Sequence, residues 1–270
     1  MQTNRWKHSL EEITNFWKYC QDGHSKIETA NHFNISYKTM LNYFLRLGWY
    51  KPTRKKKKIT KQFCINPNYF QTIDSNKKAY FLGLLMSDGY ICENVYSKEF
   101  GIALQSSDKY ILEELQKEIA PLKKINHYKN SYKFSLVNNQ IYNDLKKHGI
   151  KEKKSDIDYT LPKLEDKYMH AFIRGYFDGD GCITIKSTGY SVVSFCCNSK
   201  VFLENLKVYL ESKNIICRNI VCEQGSSRKR PIYILYLSKR ENQLKFQNFI
   251  YSDKEIYLIR KYNKFMKIPR

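Results

Sequence analysis

Two aspartate-glycine pairs, Asp88-Gly89 and Asp180-Gly181, are the residues of this sequence whose type and spacing best suggest chemistry. The two aspartates lie 92 residues apart, and each follows a run of apolar and small residues that predicts a helix. One such pair is usually a helix cap, since glycine supplies the left-handed residue that ends a helix. An aspartate is nevertheless poorly placed there, because a helix C-terminus is already negative. Two copies in matching settings therefore favour a pair of carboxylates retained for a function.

The two predicted helices carry small residues at matching positions, Gly83 and Ser87 in the first and Gly175 and Gly179 in the second. Small residues let two helix backbones approach closely. If these helices pack together, their terminal aspartates emerge side by side. Two carboxylates held together repel each other, and divalent cations resolve that repulsion. The spacing therefore predicts a divalent metal site.

The similarity between the two halves extends beyond the helices. Residues 107–117 (SDKYILEELQK) match 198–208 (NSKVFLENLKV), and 132–145 match 233–246. Each copy has the pattern of helix, hairpin, helix, hairpin and helix. The sequence therefore predicts an α+β fold of two pseudo-symmetric αββαββα repeats, which occupy residues 67–158 and 159–270.

The stretch ITIKSTGYSVVSF illustrates the predicted hairpins. Ile183 and Ile185 alternate with Thr184 and Lys186 before a Thr-Gly turn, which is typical of a strand with one buried face. A sheet of such strands has one apolar face beneath helices and one polar, basic face. DNA could lie on the second face, and Thr184 and Lys186 are predicted to contact it.

Residues 1–50 predict a small all-α module. A short helix with Ala30 and Phe33, a tight turn through Asn34-Ile35 and a second helix capped by Ser36 together resemble a helix-turn-helix. Any small α-hairpin would give the same pattern, so that alternative stays open. As a helix-turn-helix, the second helix would offer four residues to DNA: Tyr37, Lys38, Asn42 and Arg46.

The charge distribution points to a polyanionic partner. The 270 residues carry 47 Lys and Arg against 26 Asp and Glu, a formal net charge of +21. Nine of the basic residues lie between positions 29 and 73, where there is no acidic residue. Residues 51–66 predict a basic linker that lies along phosphates or acts as a localisation signal, with candidate contacts at Arg54, Lys55, Lys56, Lys57 and Lys58. Nucleic acid is the simplest such partner.

Other classes of protein are disfavoured. None of the eight cysteines forms a C-x-x-C pair, which argues against a structural zinc site, and reduced thiols in an intracellular, cytoplasmic protein are expected. The apolar run FLGLLM (81–86) is too short to cross a membrane, so no membrane partner is expected.

The segments FLGLLMSDG (81–89) and IRGYFDGDG (173–181) resemble the LAGLIDADG motif of homing endonucleases. Met86 stands where the motif has its first acid, whereas the last acid, which binds metal and is catalytic in the family, is present in both copies as Asp88 and Asp180. The resemblance covers about residues 67–270. The N-terminal helix-turn-helix is an addition that some relatives carry.

The resemblance implies a monomer of two repeats whose sheets form a saddle over a long site on double-stranded DNA. Asp88 and Asp180 would hold two or three Mg²⁺ ions, with help from the backbone carbonyls of Ser87 and Gly179. The implied activity is hydrolysis of both DNA strands, which promotes mobility of a host intron or of the gene itself.

The family usually adds a basic residue at the end of each repeat's second hairpin. Lys239 stands there in the second repeat, whereas the first has Asn138 and Asn139. Relatives also carry a Gln at the end of the first hairpin, a position that Gln105 fits and where Cys196 stands in the second repeat. These differences predict two chemically unequal half-sites.

Two other functions remain open on the same scaffold: a DNA-binding regulator without cleavage activity, and a maturase that helps intron RNA to fold. Two carboxylates facing phosphates would repel DNA in the absence of metal. Retention of both Asp88 and Asp180 therefore favours cleavage over simple binding.

Overall fold

The computed structural model describes residues 6–50, 64–95, 97–224 and 230–268. The chain divides into two compact units, Met1–Thr60 and Lys61–Arg270. Most of the predicted linker, including the basic residues from Arg54 to Lys58, lies outside the described residues.

The N-terminal unit contains three helices, α1 (Leu10–Gln21), α2 (Lys26–His32) and α3 (Tyr37–Arg46). Each begins after a serine whose side chain accepts a hydrogen bond from a backbone N–H of the first turn, as the predicted cap Ser36 does for α3. The turn between α2 and α3 contains Asn34, whose φ of 48° is the left-handed conformation expected there. The apolar faces of the helices meet in a core of their own that includes Ile13, Met40 and Phe44.

The larger unit consists of two αββαββα repeats, as predicted. The first repeat contains α4 (Asn76–Ser87), β1 (Gly89–Asn94), β2 (Ser97–Gln105), α5 (Lys109–Ile119), β3 (Asn126–Tyr128), β4 (Ser131–Val137) and α6 (Asn139–Lys147). The second contains α7 (Asp166–Asp180), β5 (Gly181–Ile185), β6 (Ser191–Cys197), α8 (Lys200–Ser212), β7 (Val221–Glu223), β8 (Ile232–Tyr236) and α9 (Lys239–Ile250), and α10 (Ile259–Phe265) follows it.

Each repeat forms one antiparallel four-stranded sheet. The strand orders are β1-β2-β4-β3 in sheet 1 and β5-β6-β8-β7 in sheet 2, so the two topologies are identical. The cross-strand row Gly89, Ile102 and Phe134 of sheet 1 corresponds to Gly181, Phe195 and Leu235 of sheet 2. This row fixes which residues of the two sheets are structurally equivalent.

Both sheets have one face packed on the core. Ile102 and Phe134 in sheet 1, and Phe195 and Leu235 in sheet 2, are fully buried. Because successive side chains of a strand point to opposite faces, the alternate residues form an outer face directed away from the core. The turn of the β5–β6 hairpin contains Gly189 at a φ of 78°, where the Thr-Gly turn is predicted.

The helices α4 and α7 form the centre of the larger unit. Residues 79–87 of α4 are buried, and so are Met169 and residues 171–178 of α7. A helix buried on all sides belongs in the middle of a fold rather than on its surface. Within the described residues, none of the helices is both long enough and apolar enough to cross a membrane.

Candidate active site

Glycines hold α4 and α7 in direct backbone contact. A Cβ atom added to Gly83 would lie 2.0 Å from the carbonyl oxygen of Phe172, and one added to Gly175 would lie 2.0 Å from that of Tyr80. Both distances are far below the van der Waals contact of about 3.5 Å. Any larger residue at either position would therefore push the helices apart.

This contact brings the two aspartates of the Asp-Gly pairs together. Asp88 is the C-cap residue of α4, and Asp180 is the last residue of α7. An added Cβ on Gly179 would lie 1.9 Å from Ser87 Oγ and 3.2 Å from the carboxyl carbon of Asp88, so the two helix ends touch. The four residues predicted to form the metal site thus lie in one place.

The carboxylates at these helix ends are poorly solvated and repel each other. Burial raises the pKa of Asp180 to about 6, and the negative charge of Asp88 contributes to the increase. Burial also raises the pKa of Asp88, although the positive charges of Lys154 and Lys261 oppose the increase. A site that disfavours two negative charges in this way is stabilised by cations.

Two lysines supply positive charge at these helix ends. Lys154 donates through Nζ to the carbonyl oxygen of Met86 at 2.8 Å and to that of Ser87. Lys261 donates to the carbonyl oxygens of Phe177, Gly179 and Gly181 at 2.5, 3.2 and 2.6 Å. Cations are favourable at helix C-termini because the last carbonyls lack partners within the helix.

Burial weakens the hold of both lysines on their protons. It lowers the pKa of Lys154 to about 8, and the charges of Asp180 and Asp88 limit the decrease. It lowers the pKa of Lys261 to about 8 as well, with Asp178 the strongest opposing charge. Both lysines are therefore buried cations, each held at the end of the central helix of its own repeat.

Each lysine belongs to a segment that follows the third helix of its own repeat and is held by the other repeat. Tyr159, beyond Lys154, donates its N–H to Ser199 Oγ at 3.0 Å, and the same hydroxyl donates to the Tyr159 carbonyl at 2.7 Å. Ser199 is the N-cap of α8 in the second repeat. We call residues 150–161 the first strap.

The second strap, residues 251–261, is held by the first repeat in the same way. The Tyr110 hydroxyl donates to the Tyr257 carbonyl at 2.8 Å and accepts from the Ile259 N–H at 2.7 Å. Arg260 Nε donates to a carboxylate oxygen of the buried Asp108 at 2.9 Å. Each repeat thus anchors the strap that delivers the other repeat's lysine.

Asp178, the other acid of DGDG, has a structural position. It is completely buried, and its Oδ2 accepts hydrogen bonds from the Tyr80 hydroxyl at 2.9 Å and the Leu258 N–H at 2.8 Å. Burial raises its pKa to about 6. Asp178 therefore joins both central helices to the second strap. Its equivalent Met86 is buried within the hydrophobic core instead.

Gln105 ends β2 and Lys239 begins α9 shortly after β8, so each lies at the hairpin end where it is predicted, and their catalytic roles stay predictions. Lys239 is exposed at the start of α9 and lines a small cavity with Ser191 and Arg218, whereas Lys154 lines the cavity of about 450 Å³ beside Asp180. Gln105 donates to Asp108 at 3.0 Å and so joins the network that holds the second strap.

The equivalence assumed between Gln105 and Cys196 is wrong. The cross-strand rows pair Ala103 with Lys133 and Cys196 with Ile234, so Cys196 corresponds to Ala103 and Asn198 corresponds to Gln105. The extra turn Ser106–Asp108 after β2 shifts the sequence alignment by two residues.

The predicted DNA-binding residues within the described chain all lie on the surface. Tyr37, Lys38, Asn42 and Arg46 are exposed on α3 of the N-terminal unit. Thr184 is exposed on the outer face of sheet 2, and Lys186 is exposed just beyond the end of β5.

The helix ends offer hard oxygen donors, which suit Mg²⁺. The donors are the Asp88 and Asp180 carboxylates and the carbonyls of Ser87 and Gly179, and two ammonium groups already lie against these carbonyls. Among the described residues there is no cluster of three His, Cys, Asp or Glu that could hold a metal. A cation here would therefore depend on the two carboxylates, backbone oxygens and water.

Two αββαββα repeats with an acid pair at the base of a glycine-packed helix pair define a two-repeat α+β protein with one composite acidic site. A family model described as a LAGLIDADG-like domain matches residues 167–251, which extend from α7 to α9. The matched residues form the second repeat, so this similarity agrees with the two-repeat architecture of the larger unit.

Several known proteins are similar to this chain. An uncharacterized protein of Methanocaldococcus jannaschii is 26% identical to this chain over 181 residues. The alignment covers 64% of this chain and 64% of that relative, so the chain spans less than two thirds of the relative's length. A structure of I-DmoI in complex with its target DNA, nicked in the coding strand and with manganese present, is 18% identical with a TM-score of 0.44 and covers 66% of this chain and 96% of that chain. The LAGLIDADG meganuclease I-AabMI, bound to uncleaved DNA, is 17% identical with a TM-score of 0.47, and the match covers 69% of this chain and 87% of that chain.

Proposed function

We propose that this protein is a Mg²⁺-dependent, site-specific endonuclease that hydrolyses both strands of double-stranded DNA. The observation that carries the proposal is the meeting of Asp88 and Asp180 at the two helix ends, each beside a lysine from an equivalent strap. Two equivalent acids in one chain suit two cuts, one in each strand. Because one chain supplies both, the active form is a monomer.

Each side chain has a role in this proposal. Asp88 and Asp180, with the carbonyls of Ser87 and Gly179, would hold the divalent cations. Bound Mg²⁺ would activate water and stabilise the charges on the attacking and leaving oxygens of the phosphodiester. The two lysines would leave the helix-end carbonyls and place their ammonium groups against the negative phosphates. The net charge of +21 attracts the DNA.

The two half-sites are proposed to cut at different rates. On one side Gln105 is tied to Asp108, which also holds Arg260. On the other, Asn198 donates to the Ser155 carbonyl of the first strap. Different partners at equivalent positions give the two scissile phosphates different surroundings. A time course with each strand labelled at its own end measures both rates, and equal nicking of both strands would refute this asymmetry.

Cleavage itself is tested on supercoiled plasmids that contain either a randomised-site library or the uninterrupted version of the gene's own locus. Double-strand cleavage is expected with Mg²⁺ and is lost in Asp180→Asn, whereas that variant still binds the DNA in Ca²⁺. Asp22→Asn, at the end of α1 in the N-terminal unit, is the matched control and should cut normally. Specific binding without nicking of either strand would contradict the endonuclease and favour a regulator. Cleavage of the uninterrupted locus would support a role in intron or gene mobility.

The N-terminal unit is proposed to add affinity rather than chemistry. It has its own hydrophobic core, and α3 exposes Lys38 and Arg46. Deletion of residues 1–60 is expected to weaken binding and flatten its salt dependence, because each lost phosphate contact lowers the slope of log K against log salt by about 0.9. The rate at saturating protein should change little. A truncated protein that cuts bound DNA far more slowly would place this unit in the catalytic assembly instead.

A further inference from the structure

The outer faces of the two sheets differ in one cross-strand row. In sheet 1 this row consists of Ala103, Lys133 and Asn126, and the equivalent row of sheet 2 consists of Cys196, Ile234 and Val221. An ammonium and an amide on one sheet are thus replaced by two branched apolar side chains on the other. The sequence predicts a polar, basic outer face, and sheet 2 does not have one at this row.

The apolar side chains of sheet 2 lie on the side away from the core. Tyr233 and Ile220, each adjacent in sequence to a residue of this row, pack against the hydrophobic core, so Ile234 and Val221 point the other way. Val221 is 43% exposed, and Ile234 is half-buried among its strand neighbours.

Two further apolar side chains share this face by strand alternation, Val192 on β6 and Ile232 on β8, and both are half-buried. We call Val192, Cys196, Val221, Ile232 and Ile234 the apolar row. Cys196, Ile234 and Val221 are direct cross-strand neighbours, whereas Ser194 separates Val192 from Cys196 and Glu223 lies opposite Ile232. Neighbouring apolar side chains on the outer face of a sheet mark a candidate binding surface.

The apolar row is continuous with the candidate active site and lies beside positive charge. Cys196 and Ile232 line the cavity next to Asp180, together with Lys154, Asp156 and Arg230. Arg230 is also paired with Asp158 at 2.9 Å. Arg230 lies two residues before Ile232, so by strand alternation it belongs to the same face of the sheet, and Lys186 follows the end of β5. On a chain of net charge +21, a ligand that reaches this face carries negative charge together with apolar groups.

We propose that the apolar row reads the C5-methyl groups of thymines in the DNA half-site beneath sheet 2. This inference rests on the proposed function. The thymine methyl is the apolar group that base edges present in the major groove, and apolar side chains recognise it by contact. In the equivalent row of sheet 1, Lys133 and Asn126 instead suit hydrogen bonding to guanine and adenine. The two half-sites of the target therefore differ in base preference, and the half beneath sheet 2 is thymine-rich.

The choice of DNA over RNA follows from the same contact. Uracil lacks the methyl group, so an RNA ligand gains nothing from the apolar row. A protein that covers these side chains would also have to accommodate Lys186 and Arg230 at their edge. Phosphates flanking a thymine-rich major groove satisfy both the charge and the apolar surface.

The first experiment selects bound duplexes from a randomised library with the full chain in Ca²⁺, and then replaces each selected thymine with deoxyuridine. Thymine should be enriched in one half-site, and each lost methyl should weaken binding roughly fourfold, from about 0.8 kcal/mol per buried carbon. The other half-site should not respond to the replacement. Selected thymines that bind equally well as deoxyuridine would overturn the proposal.

A matched pair of variants assigns the effect to this row. Ile234→Lys with Val221→Asn gives sheet 2 the residues of sheet 1, and Lys133→Ile with Asn126→Val does the reverse. The first double variant should lose sensitivity to deoxyuridine, and the second should gain it in the opposite half-site. Circular dichroism and thermal melting show whether each variant is folded, and two folded variants with the wild-type methyl dependence would refute the assignment.

Failure of this proposal is distinguishable from failure of the proposed function. Specific binding or cleavage without methyl dependence rejects the thymine reading alone, whereas absence of specific DNA binding in either half-site rejects both. Sedimentation of the DNA-free protein gives a separate check. A dimer that Ile234→Lys dissociates would show that a second copy covers the apolar row, and would overturn the proposal.

Discussion

Gly83→Ala tests the close helix contact on which the acid pair depends. Helix propensity alone predicts that this change stabilises α4 by about 0.8–1.0 kcal/mol. The structure predicts the opposite sign, because the new methyl would lie 2.0 Å from the Phe172 carbonyl and 2.8 Å from the Tyr176 nitrogen. Both are backbone atoms of a buried helix, so no side chain can rotate away to make room.

The size of the effect follows from the overlap. A separation of 2.0 Å is about 1.5 Å short of contact, so the helices must move apart along the whole interface. Overpacking of a core typically costs about 1–3 kcal/mol, and backbone overlap places this case at the upper end. After the propensity gain is subtracted, we expect the free energy of unfolding of the larger unit to fall by about 2 kcal/mol.

Urea denaturation followed by far-ultraviolet circular dichroism measures this loss. All three tryptophans, Trp6, Trp17 and Trp49, belong to the N-terminal unit, so tryptophan fluorescence reports on that unit and its transition should not move. Val208→Ala, on the exposed face of α8, controls for helix propensity and should be neutral or slightly stabilising.

A double-mutant cycle with Gly175, on the facing helix, tests the close approach of α4 and α7. Gly175→Ala meets the Tyr80 carbonyl at the same 2.0 Å. Because either methyl forces the same separation, the double variant should lose clearly less stability than the sum of the two single losses. Stabilisation by Gly83→Ala, or full additivity of the two changes, would refute the reasoning.

Three further predictions concern the charges around the acid pair. Lys154→Met leaves the Met86 and Ser87 carbonyls without their donor and should lower the free energy of unfolding by about 1–3 kcal/mol in the absence of metal. Added Mg²⁺ should raise the melting temperature of this variant more than that of the wild type. An equal rise would contradict the idea that the Lys154 ammonium occupies the place of a metal ion. The pKa of Asp180 is raised to about 6, so calorimetry should show the affinity for the cation falling as pH drops below 6, by up to about tenfold per pH unit. Unchanged affinity at pH 5 would contradict this prediction. Without cation, the raised pKa makes the fold more stable as pH falls from about 6 towards 4. Asp253→Asn removes the carboxylate paired with the fully buried Arg174 and should lower the free energy of unfolding by about 3–5 kcal/mol in urea melts, whereas a loss below about 1 kcal/mol would mean that Arg174 is satisfied without it.

The central helices and their acids could be predicted from sequence because the signal is local. Glycine at Gly83 and Gly175 and the Asp-Gly ends fall at helical spacing, and repetition of the pattern 92 residues later shows that it is not accidental. The αββαββα order follows from strand alternation and turn residues of the same local kind. These features require no knowledge of which segments meet in space.

The basic part of the site could not be predicted in this way. Lys154 lies in the first strap, and Lys261 lies in the first turn of the short helix α10, where the second strap ends. The positions of both straps depend on hydrogen bonds made by the opposite repeat. Both repeats have a lysine after their third helix, and this similarity is the signal from which the two residues could be predicted. Many other lysines lie nearby in the sequence, so the signal does not single out Lys154 or Lys261. Gln105 was misaligned because a three-residue turn changes the strand offset, which cross-strand pairing reveals.

The crossed straps also have a consequence for the timing of synthesis. Translation produces the first repeat and its strap before the second repeat exists, so Tyr159 then lacks Ser199 as its partner. Lys261 emerges from the ribosome after every strand of both sheets. A nascent chain therefore holds Asp88 without the opposing helix end until α7 has been made, and Lys261 reaches the end of α7 only after residue 261 has left the exit tunnel. For the proposed nuclease, this order would leave the composite site incomplete until the second strap has been made.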